Sequence, residues 1–236
     1  MVGIYGDSIA FQAMPWSDAA VGDRGLRVRG LRFPGLAACD LVASVRNDLA
    51  APMAHRPRVV AVSLVGNSVT DCMRTAGGEF AEVNSPEYLD AYELALRRLA
   101  EATGAAGVPM IYTWGPTSSP FGTTWDGSVH VALIAAAMVE EYPHLRIVDV
   151  GASVMGPDGD YGVVLPCLPD ESTADGCTEG EIRIRVSQAD GHFHCRESEV
   201  APSGWPRPCP VYSSGARRYG EALAAEVLFE WDARRG

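Results

Sequence analysis

The polar turn Gly6-Asp7-Ser8 contains the first residues whose types could do chemistry. It follows the short apolar run 2–5 and precedes the apolar start of a possible helix. A strand-to-helix turn places Ser8 at the carboxyl end of a sheet strand, where open α/β sheets keep their ligand crevice. Ser8 is therefore a candidate nucleophile, and the alternative is a Ser/Asp helix cap without chemistry. We expect Asp7 to point away from its neighbour and to serve as a turn or cap residue.

Two further turns follow predicted strands. Gly35 comes after Phe33-Pro34, and Asn67 comes after the apolar run 59–65 and Gly66. Because the ends of neighbouring parallel strands meet at one edge of a sheet, Gly35 and Asn67 would converge with Ser8 on one crevice. The alternative for each is an ordinary turn glycine or turn asparagine.

The segment Asp190-Gly191-His192-Phe193-His194 supplies candidate bases. A serine nucleophile needs a base that takes its proton, and an aspartate can hold the imidazole in the required tautomer. Asp190, His192, His194 and Cys195 could instead ligate a transition metal, because His-x-His on a strand points both rings to one side. No second ligand cluster stands elsewhere in the sequence. We therefore expect neither a metal nor a cofactor.

In this order, the four blocks resemble those of the SGNH (GDSL) hydrolase family, named for Ser, Gly, Asn and His, and the resemblance covers nearly the whole chain. It implies an α/β three-layer sandwich with a mostly parallel, flavodoxin-like central sheet. It also implies a serine esterase or acyl-hydrolase with Ser8 as nucleophile. The family's oxyanion hole falls on the backbone N–H groups of Ser8 and Gly35 and the side chain of Asn67.

The fourth block departs from the family's Asp-x-x-His pattern. The residue three places after Asp190 is Phe193, and the histidines stand two and four places after it. We prefer His194 as the base, with Asp190 orienting it, because Cys195 follows His194 as in some relatives. His192 stays an open alternative, since it preserves the His-aromatic pair of the block.

The tail 209–216 resembles that of bacterial SGNH domains associated with membrane acyltransferases. This resemblance implies an O-acyl substrate, such as acetyl on a carbohydrate or small metabolite, and either hydrolysis or transfer of the acyl group. The alternative is a non-catalytic ligand- or carbohydrate-binding module on the same scaffold, in which the displaced histidine has abolished hydrolysis.

The elements that must position these residues follow an α/β pattern. Strand and helix patterns alternate along the first 150 residues, which is typical of βαβ units and a doubly wound sheet. The run 59–65 does not alternate and predicts a strand buried on both faces. Strands are predicted at 24–33, 108–113, 145–150 and 181–186, and helices at 36–49, 86–103, 129–141 and 213–231. We expect one domain over residues 1–236.

Charge and composition limit the partners. The chain of 236 residues carries a net charge of -11, which disfavours nucleic acid and anionic membranes. No apolar run approaches the ~18 residues that span a bilayer. No charged and apolar leader precedes the first strand, so no export signal is expected.

The six cysteines point to an oxidising compartment. Their placement around loops and beside the blocks predicts the disulfides Cys39–Cys72, Cys167–Cys177 and Cys195–Cys209. The alternative is six thiols in a cytosolic protein, which the missing leader favours. Zinc is less favoured, because no pair has Cys-x-x-Cys spacing.

Overall fold

The computed structural model describes residues 1–116, 127–157, 159, 161–187, 191–196, 209 and 211–234. Five parallel strands form the central sheet in the order β2-β1-β3-β4-β5. They are β1 (Val2–Gly6), β2 (Val28–Arg29), β3 (Val60–Ser63), β4 (Met110–Trp114) and β5 (Leu145–Asp149). In this order the connections reverse direction between β1 and β3, and such a switch point opens a crevice at the carboxyl ends of the strands.

Helices cover both faces of the sheet, which gives three layers. They are α1 (Ser8–Gly22), α2 (Ala38–Leu49), α3 (Pro86–Ala105), α4 (Gly127–Ala137) and α5 (Ser214–Ala233). One core joins the sheet to α2, α3 and α4, and the other joins it to α1 and α5. β3 is buried along its whole length, as its unbroken apolar run predicts. The predicted α/β three-layer architecture is confirmed.

Smaller elements complete the described chain. β6 (Val164–Pro166) and β7 (Glu181–Arg183) form a separate antiparallel pair. Short 3-10 helices occupy Met53–His55, Asp71–Met73, Gly151–Val154 and Thr173–Asp175. In the part of the chain that the structure describes, no helix is both long and apolar enough to cross a bilayer.

Several sequence-based boundaries differ from the structure, and two of the differences concern the elements next to Ser8. The strand predicted at 24–33 shrinks to two residues, because Gly30 takes φ +144° and its backbone approaches the Ile4 carbonyl oxygen, where a Cβ would stand at only 1.9 Å. Helix α1 continues through Pro15 to Gly22, well beyond the possible helix start that the sequence indicated. Tertiary packing of α1 against α5 outweighs the local cost of the proline.

The three predicted disulfides are present. Cys39–Cys72 joins the first turn of α2 to the short helix Asp71–Met73, so it connects the segments that follow the second and third blocks. Cys195 is bonded to Cys209, and its sulfur is therefore not available as a thiolate ligand for a metal. Three disulfides favour an extracellular or periplasmic location.

A buried ion pair fixes the 168–178 loop to the start of α5. The Glu171 carboxylate, with a side chain 0% exposed, accepts hydrogen bonds from Arg218 Nε at 2.8 Å and from the Leu168 N–H at 2.7 Å. Burial alone would raise the pKa of Glu171, but the hydrogen bonds from Arg218, Ser214 and Leu168 lower it to about 2. The carboxylate is thus bound in its charged form.

Glu171→Gln is expected to lower the free energy of unfolding at pH 7 by about 3–5 kcal/mol, because it leaves the Arg218 guanidinium buried without its counter-charge. The depressed pKa makes the contribution of Glu171 complete above about pH 4.5 and progressively lost as the pH falls toward 2. Urea unfolding at pH 7 and pH 3 measures both effects. Asp170→Asn, at a side chain 64% exposed, is the control and should cost less than about 1 kcal/mol. Equal stability of Glu171→Gln and wild type at pH 7 would contradict this account.

Candidate active site

Ser8 is the first residue of α1 and follows β1 directly, at the edge where β1 and β3 end. Its residue surface is 5% exposed. Within the described ranges, no hydrogen-bond partner for its hydroxyl is found. The first N–H groups of a helix have no partner inside the helix, so the Ser8 N–H belongs to a set of donors directed out of the α1 N-terminus. Ser8 therefore lies at the strand-to-helix turn that the sequence predicts.

Asp7 is the N-cap of α1 and links the serine turn to the end of β3. Its side chain is fully buried and accepts hydrogen bonds from the Ile9 N–H at 3.1 Å, the Val65 N–H at 2.6 Å and Asn67 Nδ2 at 3.3 Å. The predicted capping role is confirmed. The link to Val65 and Asn67 was not predicted, because it joins residues about sixty positions apart that only the pairing of β1 with β3 brings together.

Burial disfavours the ionised form of the Asp7 side chain. Burial raises the pKa of Asp7 to about 6, in opposition to the Val65 and Ile9 N–H groups and to the positive charge of His192, which lower it. A buried carboxylate with a raised pKa destabilises the folded chain as the pH rises from about 4 to about 6. Such a group is typical of functional sites.

Gly35 lies in a tight turn beside the end of β1. The turn is closed by the Leu36 N–H, which donates to the Phe33 carbonyl oxygen at 3.4 Å, and the Phe33 N–H donates to the Gly6 carbonyl oxygen at 3.2 Å. Gly35 has φ +85°, which suits the third position of a type II turn after Pro34. A Cβ at Gly35 would meet no atom within 4 Å. Glycine is thus required by the backbone angle, and the space beside it is open.

Asn67 follows the end of β3. Its Nδ2 group donates to the Leu36 carbonyl oxygen at 3.1 Å and to Asp7 Oδ2 at 3.3 Å. Both hydrogens of the amide nitrogen therefore have acceptors. For Asn67 to donate to a bound oxyanion, one of these two hydrogen bonds must be exchanged.

Three buried tyrosines hold the backbone around Asn67. Tyr88 donates to the Gly66 carbonyl oxygen at 2.8 Å and Tyr92 donates to the Asn67 carbonyl oxygen at 2.8 Å. Tyr112 of β4 donates to the Leu64 carbonyl oxygen at 3.4 Å. These residues were not predicted from the sequence. The spacing of Tyr88 and Tyr92, four residues apart, does indicate that they share one face of a helix. Because β3 ends at Ser63, these carbonyl oxygens lie outside the sheet pairing, and the tyrosine hydroxyls bind them instead.

The two histidines have different surroundings. Phe193 is buried against Tyr219, with ring centroids 5.9 Å apart, and the flanking His192 and His194 are partly exposed. The charge of His192 acts on Asp7, next to Ser8. The pKa of His194 is lowered by burial and by the charges of Arg183 and Arg196. Asp190 lies outside the described residues.

No model of a known protein family matches the sequence, and no curated protein matches it. Solved structures do match the fold. The C-terminal catalytic domain of Streptococcus pneumoniae peptidoglycan O-acetyltransferase A, solved with a methylsulfonyl adduct, is 13% identical with a TM-score of 0.51; the match covers 98% of this chain and 94% of that domain.

Two other structures match less closely. An acetylxylan esterase from Geobacillus stearothermophilus, solved as a catalytic mutant, is 19% identical with a TM-score of 0.45, and the match covers 64% of this chain and 76% of the esterase. A GDSL-like lipase from Bacteroides thetaiotaomicron is 15% identical with a TM-score of 0.46, covering 78% of this chain and 80% of the lipase. At these identities the likeness concerns the fold alone. The chain has a three-layer α/β fold with a parallel central sheet, and this fold is similar to that of the peptidoglycan O-acetyltransferase catalytic domain.

Proposed function

We propose that the protein is a serine acyl-hydrolase or acyltransferase that cleaves an O-acyl ester through an acyl-enzyme on Ser8. The observation that carries the proposal is the Asp7 carboxylate, which binds both the helix that begins at Ser8 and the Val65–Asn67 segment. These contacts support the proposal, because the Ser8 turn and the Asn67 amide both lie near the switch point between β1 and β3. The fold shared with an O-acetyltransferase domain supports the same class of chemistry.

In the proposed reaction, Ser8 Oγ attacks the carbonyl carbon of the ester while a histidine takes the hydroxyl proton. The carbonyl π electrons move to the oxygen, which the N–H groups of Ser8 and Gly35 and the Asn67 amide stabilise. Collapse of this intermediate releases the alcohol, which receives the proton from the histidine. Water, or a second alcohol, then removes the acyl group from Ser8 by the same steps in reverse.

We assign the base to His192 in preference to His194, the residue favoured on sequence. The support for His192 is that the N–H of the next residue, Phe193, donates to Gln12 Oε1 at 2.8 Å, on the helix that begins at Ser8. The dominant charged neighbours of His194 are Arg183 and Arg196. Asp190 remains the proposed orienting acid on the sequence pattern alone.

The proposed substrate is an O-acyl ester, with acetyl on a carbohydrate or a small metabolite as the leading class. Two of the structures with this fold are a peptidoglycan O-acetyltransferase domain and an acetylxylan esterase. We further propose an extracytoplasmic location, which the three disulfides support.

The second candidate is a binding module without catalysis. Two observations favour it: both hydrogens of Asn67 Nδ2 have acceptors, and the described residues offer Ser8 Oγ no hydrogen-bond partner. Catalytic hydrogen bonds are often long or absent before substrate binds, so these observations do not outweigh the first proposal.

Measurements of ester turnover and of saccharide binding distinguish the acyl-hydrolase from the binding module. The purified oxidised protein is incubated with p-nitrophenyl acetate and, separately, with O-acetylated xylo-oligosaccharides and peptidoglycan fragments, and released p-nitrophenol and acetate are measured. Saturable release that scales with protein concentration is expected. Calorimetric binding of a saccharide without release of acetate from any ester would instead identify a binding module.

Asn67→Ala is expected to lower kcat for p-nitrophenyl acetate about 10²–10³-fold, as loss of one oxyanion donor does in other acyl-transfer enzymes. KM should change little, because the amide acts on the charge that develops after binding. Steady-state kinetics measure both constants. Asn47→Ala, in α2, is a control that should keep wild-type kcat. An unchanged kcat in Asn67→Ala would remove Asn67 from the oxyanion hole.

A further inference from the structure

We propose that Gln12 and Tyr161 are positioning residues that hold the backbone on both sides of His192, an inference that rests on the proposed function and on His192 as the base. Neither residue belongs to the four sequence blocks. Each is buried, and each binds a main-chain group next to His192.

Gln12 lies one turn after Ser8 on α1 and is 8% exposed. Its Oε1 accepts a hydrogen bond from the Phe193 N–H at 2.8 Å. The acceptor for the amide that follows His192 therefore comes from the same helix that begins with the nucleophile. A shift of α1 would move Ser8 and this anchor together, which keeps the spacing between nucleophile and base.

Tyr161 binds the main chain at Gly191, which precedes His192. It is 2% exposed, and its hydroxyl donates to the Gly191 carbonyl oxygen at 2.9 Å. The carbonyl before His192 and the amide after it thus each bind a buried side chain. The antiparallel pairing between Arg185 and Phe193 adds to this, because the Val186 N–H donates to the His192 carbonyl oxygen at 3.0 Å.

These contacts fix the main chain on both sides of His192. A base must lie within hydrogen-bond reach of the serine hydroxyl, and a displacement of about 1 Å can cost about 100-fold in rate. The segment 191–196 forms isolated bridge pairings rather than a regular strand. The hydrogen bonds with Gln12 and Tyr161 therefore contribute more to the position of His192 than they would in a strand.

The test compares Gln12→Met, which removes the acceptor at similar volume, with Gln12→Glu, which keeps an oxygen in place. Tyr161→Phe removes the other hydrogen bond. Tyr5→Phe is the matched control, because the Tyr5 hydroxyl is equally buried and donates to Asp48 at 2.7 Å, away from the histidine. For each variant we measure kcat and KM on p-nitrophenyl acetate, the rate of inactivation by a fluorophosphonate, and Tm.

Gln12→Met is expected to lower kcat and the fluorophosphonate inactivation rate by about 10–100-fold with KM within about twofold, and Tyr161→Phe by a smaller factor. Gln12→Glu should recover most of the loss, and Tyr5→Phe should keep wild-type kcat even if its Tm falls.

A folded Gln12→Met with wild-type kcat would overturn the proposal for Gln12, and so would a loss that Tyr5→Phe reproduces. If Gln12→Met does not fold, unchanged kcat in Tyr161→Phe overturns the proposal. If wild type itself has no turnover, the proposed function fails and this inference fails with it, an outcome distinct from an active wild type with unaffected variants.

Discussion

Ser8→Ala is expected to abolish esterase turnover, with a fall in kcat of at least about 10³-fold, because coupled catalytic groups lose activity by orders of magnitude when one is removed. The fold should be retained. Among the described residues the Ser8 hydroxyl has no hydrogen bond to lose, and the cap of α1 is supplied by Asp7 rather than by Ser8. The measurement is kcat on p-nitrophenyl acetate together with Tm.

Ser17→Ala is the matched control for Ser8→Ala. Ser17 is a buried serine of the same helix, and its hydroxyl donates to the Met14 carbonyl oxygen within α1. It should keep wild-type kcat. Retention of more than a tenth of the wild-type rate in Ser8→Ala, on an ester that the wild type turns over, would remove Ser8 as the nucleophile.

His192→Ala is expected to lower kcat by about 10²–10⁴-fold, the usual contribution of a general base. His194→Ala should lower it by less than about tenfold, because His194 is not the proposed base. Parallel kinetics on the two variants, with Tm for each, make the comparison. The opposite pattern would restore His194 as the base, and wild-type kcat in both would favour the binding module.

The sheet and its helices could be predicted because each depends on local pattern. The unbroken apolar run through β3 indicated burial on both faces, and Ser85-Pro86-Glu87 marked the start of α3, where the Ser85 hydroxyl accepts from the Tyr88 N–H at 3.2 Å. The disulfide pairs could also be predicted, since each lies around a loop or beside a block.

The contacts that organise the candidate site could not be predicted in the same way. Asp7 was correctly interpreted as a cap, but its second role depends on the register in which Gly6 pairs with Ser63. The anchors of the histidine segment come from α1 and from a loop about thirty residues away. The positions of His192 and His194 depend on how this segment pairs with Arg185, and sequence spacing does not encode that pairing.

The most direct test of the central claim is the site of covalent capture. The oxidised protein is treated with a fluorophosphonate, its intact mass is recorded, and the adduct is located by peptide mass spectrometry. The account predicts one adduct per chain, on the peptide that contains Gly6-Asp7-Ser8, with loss of esterase activity in proportion to labelling. An adduct on a different serine that tracks the loss of activity would contradict it, as would an active enzyme that the reagent neither labels nor inhibits.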